Sequence, residues 1–272
     1  MRNAPFRAGC LAVAGLILVP HARAGNPPAR WGRTGHQAIA VLAAERLSPG
    51  ARVRLQDLLG GDAVGDAATW ADSIRPTRPA TGPLHYVNIP IWAPRYEPQR
   101  YCPDGRCVLG AIAHYRAVLA DPGLPALERT EALKFLIHFV SDLHQPLHVA
   151  DRGDRGGNDV RVSFRGRGSN LHSLWDTGLV EDIAPDGPAL AGLLRSRLAA
   201  LPADSVAAWS EGTPEDWAMG LQRISREVVY RLPPEGEIDA AYVAVTRPIV
   251  ERQLVQAVVR LAAVLEAVLA PR

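Results

Sequence analysis

The sequence predicts a mainly α-helical single domain, a helical bundle carrying one small β-hairpin. Three observations lead there. Leu133, Leu136, Ile137 and Val140 recur at i, i+3, i+4 and i+7, and a similar stripe runs through Leu254, Val258, Leu261, Leu265 and Val268. Only Asp159 to Phe164 alternates like a strand, with Val160, Val162 and Phe164 sharing one side. No tract after residue 30 is long or biased enough to be a linker, and no segment repeats at a fixed period.

Taken in order, residues 1–24 predict a secretion signal. Arg2 and Arg7 form its basic start, Ala8 to Val19 is an apolar run of twelve, and Ala22-Arg23-Ala24 supplies a small-x-small cleavage pattern. Twelve apolar residues are too few to span a bilayer. Residues 25–30 follow as a short segment, and the domain proper covers 31–272. Helices are predicted near 36–48, 51–60, 106–121, 187–200 and 214–231, besides the two stripes. Gly156-Gly157 before the strand and Gly166-Arg167-Gly168 after it suggest a hairpin or loop pair. Arg260 and Glu266 interrupt the last stripe, which therefore reads as a packed helix and not as a membrane span.

Charge excludes one class of protein. Lys plus Arg number 30 against 28 Asp plus Glu, and removing residues 1–24 removes Arg2, Arg7, Arg23 and no acid, leaving 27 against 28, a net of −1. That balance argues against a protein that holds nucleic acid by a dense basic surface. Of the three cysteines, Cys10 leaves with the signal. Cys102 and Cys107 bracket a Pro/Gly turn and read as a small disulfide formed after export. Half of a zinc ribbon is the alternative, but no second cysteine pair completes it.

Chemistry concentrates in histidine and aspartate. His138 with Asp142 and His172 with Asp176 each form a His-x-x-x-Asp pair, which a helix places on one face. Such pairs are common on surfaces, but the first flanks the apolar stripe, where unpaired charge is costly unless a metal takes it up. Past Asp142 the helix breaks at His144-Gln145-Pro146, and the turn can carry His148 back toward the same place. His36, Asp72 and His85 lie upstream, giving eight nitrogen or oxygen candidates, too many for one zinc ion. Spacing alone does not sort them into sites.

Six motifs occur in order: Trp31-Gly32-x-x-Gly35-His36, Trp70-Ala71-Asp72, Leu84-His85-Tyr86-Val87-Asn88, His138-Phe139-x-x-Asp142-x-His144-Gln145-Pro146-Leu147-His148, Gly156-Gly157-Asn158 and Asn170-Leu171-His172-x-Leu174-Trp175-Asp176. From Trp31 to about Arg260 the chain resembles the zinc-dependent single-strand nucleases of fungi, plants and bacteria, which share the phospholipase C/nuclease-like fold. The resemblance implies three zinc ions in a cleft. By matching positions, one takes Asp72, His85, His138 and Asp142; a second takes His148, His172 and Asp176; the third takes His36, Asp142 and the backbone amine and carbonyl of Trp31. His144 is not a ligand in that pattern and is expected to hydrogen-bond within its loop. Arg75 matches a basic position that touches phosphate, so Asp72, Arg75 and Asp142 are the implied catalytic residues. Tyr86 is placed to stack on a base, Asn88 to bond its edge, and Asn170 to orient a ligand or contact phosphate.

The implied activity is an exported endonuclease, periplasmic or secreted, that cuts single-stranded DNA and RNA to 5′-phosphate products and removes phosphate from 3′-nucleotides. No membrane and no obligate protein partner is implied. A near-neutral mature charge puts most of the affinity at the metal centre, with a shallow salt dependence. Two other readings compete: a zinc-dependent phospholipase C, which shares the fold, and a zinc-storage protein without turnover. Tyr86-Val87-Asn88 and Arg75 favour the nuclease, because storage needs neither a stacking nor a phosphate-binding group. The chain departs from the family at Trp217-Ala218-Met219-Gly220-Leu221, where many members carry Glu-Ser after Trp-Ala-x, and in having a single expected disulfide. Members of the family begin at the tryptophan, so a second cut after Arg30 is expected to free the Trp31 amine.

Overall fold

Capping residues set many of the helix ends. In the computed structural model, which describes residues 31–270, α1 spans Gly32–Glu45 and α2 Pro49–Leu59. Ser48 caps α2 by accepting from the Ala51 N–H, Pro49 occupies its first turn, and Gly60 closes it in the left-handed conformation. The expected export signal and residues 25–30 lie outside the described residues. Then come α3 (Val64–Ser73), a 3₁₀ turn (Pro79–His85), β1 (Ile89–Pro90), α4 (Pro98–Tyr101), α5 (Val108–Ala120) and α6 (Ala126–Leu143). A second 3₁₀ turn at Pro146–His148 leads to β2 (Ala150–Asp151), β3 (Arg161–Phe164) and β4 (Arg167–Asn170). The chain finishes with α7 (Leu171–Ser173), α8 (Leu179–Ile183), α9 (Gly187–Ala199), α10 (Ala203–Ser210), α11 (Pro214–Ile224), β5 (Glu237–Ile238) and α12 (Ala240–Leu269).

The architecture is the mainly helical one the sequence predicts. β3 and β4 pair antiparallel around Arg165 and Gly166, both at positive φ as a two-residue hairpin turn requires, and β5 joins β3 in parallel. Both apolar stripes are buried: Leu133, Leu136, Ile137 and Val140 on α6 and Leu254, Val258, Leu261 and Leu265 on α12. Each such side chain stabilises the fold by roughly 1.5–3 kcal/mol. α1 packs against α3, α9 and α12, while α6 packs against α3 and α5.

Several helices go beyond the sequence reading, among them α3, α8, α10 and the first part of α12. α3 was not expected, because the face it buries is Ala67, Ala68 and Ala71, whose small side chains give little hydropathic contrast. α12 begins well before its stripe and contains Pro248, which in sequence reads as a break. A short parallel pair, Ile89 with Ala150 and Pro90 with Asp151, also carries no strand signal. It is decisive for the site, since it ties the segment after His85 to the segment after His148.

Candidate metal centre

Every ligand-type side chain named from the sequence reaches one region. α1 supplies His36, α3 supplies Asp72, and the Pro79–His85 turn supplies His85 at its end. α6 supplies His138 and Asp142, and the turn that Pro146 starts brings His148 back, as expected. His172 sits on α7 and Asp176 on the π-helical turn Leu174–Gly178 that continues it. Asp72 is partly exposed; the other seven are buried.

The donor atoms form three groups: Asp72, His85 and His138; His36, His138 and Asp142; His148, His172 and Asp176. In the first, His138 Nε2 lies 3.1 Å from His85 Nδ1, and Asp72 Oδ1 lies 3.7 and 3.8 Å from those same two atoms. Asp142 Oδ2 joins them at 2.9 and 3.1 Å. Its other oxygen is 3.4 Å from His36 Nε2 and 3.2 Å from His148 Nδ1, so this one carboxylate faces members of all three groups. In the third, Asp176 is 3.3 Å from His148 Nε2 and 3.2 Å from His172 Nε2.

These separations suit a tetrahedral ion, whose ligands at about 2.0–2.1 Å stand roughly 3.3 Å apart. The hydrogen-bond geometry agrees. Both ring nitrogens of His36 and of His148, Asp72 Oδ1, Asp142 Oδ1 and Asp176 Oδ2 are buried without a hydrogen-bond partner, although they crowd one another. Buried acceptors in that condition call for a cation. Imidazole and carboxylate donors without thiolate suit zinc.

Electrostatics point the same way. Burial pushes His85 down to about 4 and, with His138 beside it, holds His36 low, so both rings are in the neutral, ligating form. Burial also acts against a charged His148, but Asp142 and Asp176 outweigh it and raise that ring to about 9. Burial pushes the Asp142 carboxyl up, yet His138 and His148 hold it well below the usual range. Protons thus sit where metal ions would, and metal binding would release them.

Outer partners fix the rings. The Nδ1–H of His138 donates to the Ala68 carbonyl at 2.7 Å, and that of His172 donates to the Gly156 carbonyl at 2.8 Å, aiming each Nε2 inward. Gln145 donates through Nε2 to Asp176 Oδ1 at 2.6 Å and accepts from the Leu147 N–H. Gly156 has φ +61, and a Cβ there would stand 2.6 Å from the Leu147 carbonyl, so only glycine fits. Sequence reading missed Gln145, Ala68 and the part Gly156 plays; the motif around Gln145-Pro146 was the available signal.

The other expected residues are placed as follows. Arg75 Nη1 lies 3.7 Å from Asp72 Oδ1, at the partly exposed side of the first group. Tyr86 and Asn88 line a cavity of about 180 Å³ together with Leu147, Arg155, Asn158 and the ligand His172. Asn170 accepts from the Ser173 N–H and caps α7, which positions His172. Trp31 heads α1 in the left-handed conformation, its indole fully buried and its carbonyl accepting from the Gly35 N–H. His144 donates through Nδ1 to the Val140 carbonyl and accepts from Arg260, and burial pushes it down to about 3. Trp217 packs inside, with its indole N–H on the Glu211 carbonyl and Arg260 over its ring. Cys102 and Cys107 are disulfide-bonded.

Fold and site together define a helical protein whose core converges His and Asp side chains on sites for several metal ions. The family model described as S1/P1 Nuclease matches residues 31–270, and the chain belongs to that family. Endonuclease 2 of Arabidopsis thaliana is 35% identical over 259 residues, covering 86% of this chain and 89% of that protein. Nuclease P1 of Penicillium citrinum is 36% identical over 155 residues (54% of this chain, 57% of that protein), and Nuclease S1 of Aspergillus oryzae is 32% identical over 162 (57% and 56%). The protein is accordingly a nuclease, a hydrolase of phosphodiester bonds.

Proposed function

We propose that this nuclease uses three zinc ions to cut single-stranded DNA and RNA, leaving 5′-phosphates, and that it also removes the phosphate of 3′-nucleotides. Asp72, His85, His138 and Asp142 would hold one ion, His148, His172 and Asp176 a second, and His36, Asp142 and the Trp31 backbone a third. Bound there, the ions supply Lewis acidity, acidify water and neutralise charge on phosphorus.

The observation that carries the single-strand reading is the cavity beside His172. A cavity of about 150 Å³ takes one benzene ring, so about 180 Å³ admits one planar base, and only an unstacked base can enter. Tyr86 offers a stacking face and Asn88 an edge that both donates and accepts. His172, one of the residues that would hold the second ion, lines the same cavity, so a base bound there would bring its own phosphate toward that group, which supports the 3′-nucleotidase reading. Arg75 would bind the phosphate from the exposed side, next to Asp72.

The test compares hydrolysis of single-stranded DNA, duplex DNA, 3′-AMP and 5′-AMP. Single strands and 3′-AMP are expected to react and the other two to lag far behind; equal rates on duplex would overturn the reading. Arg75→Ala is expected to keep its metal and lose turnover.

Export through residues 1–24 and trimming of residues 25–30 complete the proposal. A peptide nitrogen is a poor ligand, because its lone pair is delocalised, so the third ion needs a free amine at Trp31. Intact mass of the active secreted protein is expected to start at Trp31. A chain starting at Gly25 with three tightly bound ions and full activity would contradict this.

A further inference from the structure

Among the described residues, four large apolar side chains stand exposed: Val53, Trp92, Leu127 and Val245. Three lie on helices, whereas Trp92, 66% exposed, stands on the loop that leaves the base cavity. From Tyr86 the backbone alternates: Val87 and Ile89 enter the core, while Tyr86 and Asn88 line the cavity. Two residues later Pro90 starts a turn, closed by the Ala93 N–H on the Pro90 carbonyl at 2.9 Å, with Ile91 and Trp92 at its tip.

This turn is held firmly. The Ile91 N–H donates to the Asp151 carbonyl, extending the β1–β2 pair, and the buried Gln222 donates through Nε2 to the carbonyls of Pro90 at 2.8 Å and Ala93 at 3.1 Å. A buried side-chain amide thus fixes a turn that presents a tryptophan to solvent. Exposed on a turn held in this way, the indole face is open to a planar, apolar partner. β2, on the other side of the pair, leads into the loop bearing Arg152 and Arg155, and Arg155 lines the same cavity. Arg155 pairs with Asp159 and Arg152 lies over the Tyr230 ring, so this side of the cavity carries both cations and aromatic faces, the combination that single-stranded nucleic acid uses.

We propose that Trp92 is a second stacking platform, which takes the base of a nucleotide flanking the one held at Tyr86 and Asn88. The occupant is the substrate strand itself, so the proposal rests on the single-strand reading above. Trp92 belongs to none of the metal groups and, on this reading, stays clear of the scissile phosphate. It sets affinity for chains longer than one nucleotide and leaves the chemical step alone.

The experiment measures KM and kcat for 3′-AMP and for single-stranded DNA of two to eight nucleotides, in wild type, Trp92→Ala and Trp92→Phe, with melting temperature as a check on folding. Trp92→Ala is expected to raise KM about tenfold for the longer strands, with kcat and the 3′-AMP parameters unchanged, and Trp92→Phe to recover most of the loss. An unchanged KM on every strand length, or an equal loss on 3′-AMP, would overturn the proposal. If the wild type cleaved duplex as well as single strands, the single-strand reading would fail first, and the length dependence of Trp92→Ala would still show whether the tryptophan contacts substrate.

Discussion

The pairs His138/Asp142 and His172/Asp176 share one spacing and stand on different backbones. The first lies on α6, a regular 18-residue helix buried over most of its second half. Its two members meet at 3.1 Å because helical geometry and core packing put them there. The second lies where α7 gives way to a π-helical turn, and its members meet at 3.2 Å. There the geometry is set by hydrogen bonds: Asn170 caps the helix, the Gly156 carbonyl orients His172, and Gln145 holds Asp176. One metal group is thus secured by a hydrophobic element, the other by a polar loop, and the two should fail differently.

Asp142→Ala makes the largest break. It removes the carboxylate that faces all three groups and leaves buried histidines without their counter-charge. More than one metal ion should be lost per chain, with destabilisation of about 3 kcal/mol or more. Full metal content and unchanged melting would refute the shared role.

Gly156→Ala should strike the His148, His172 and Asp176 group alone. Its positive φ and the 2.6 Å approach to the Leu147 carbonyl require the loop to shift, at a cost of about 2–3 kcal/mol. Metal analysis is expected to show loss from the His148, His172 and Asp176 group with the α6 ligands still loaded. Equal loss from both groups would show that the two are not independent.

The legibility of the two regions follows from the same contrast. α6 announced itself through a stripe of leucine, isoleucine and valine, and its His and Asp stood out against that stripe. The hairpin and Cys102–Cys107 were legible from local turn residues. By contrast, α3 buries only alanines, and the carbonyls of Ala68 and Gly156 act through the backbone, which no side-chain pattern records. The grouping of the eight ligands needed the β1–β2 pair and the Pro146 turn, whose contacts span the chain. The family resemblance implies a grouping where spacing gives none.

Reduction of Cys102–Cys107 tests a link that holds neither pair directly, although Val108 next to it donates to the Tyr86 carbonyl. Closing so short a loop is worth about 2 kcal/mol by chain entropy. A Cys102→Ser/Cys107→Ser variant should melt earlier while keeping its metal, and metal loss would tie this loop to the site.

Asp151→Asn gives the smallest effect and sharpens the account of the His148, His172 and Asp176 group further. Burial pushes the Asp151 carboxyl up, but the N–H groups of Gly156, Asp154 and Gly153 outweigh it and hold its pKa below 3.8. A depressed pKa stabilises the fold above 3.8, and that contribution disappears as pH falls through the lowered value. The melting difference between variant and wild type should therefore be full near pH 7 and close in acid. A difference that grew in acid would contradict the assigned hydrogen bonds.

The most direct measurement counts metal ions per chain in the purified active protein, alongside hydrolysis of single-stranded DNA before and after chelation. Three zinc ions per chain are expected, with activity lost on their removal and restored by zinc. Undiminished hydrolysis by a chain holding no metal would contradict the reading of the buried His and Asp groups as the catalytic centre.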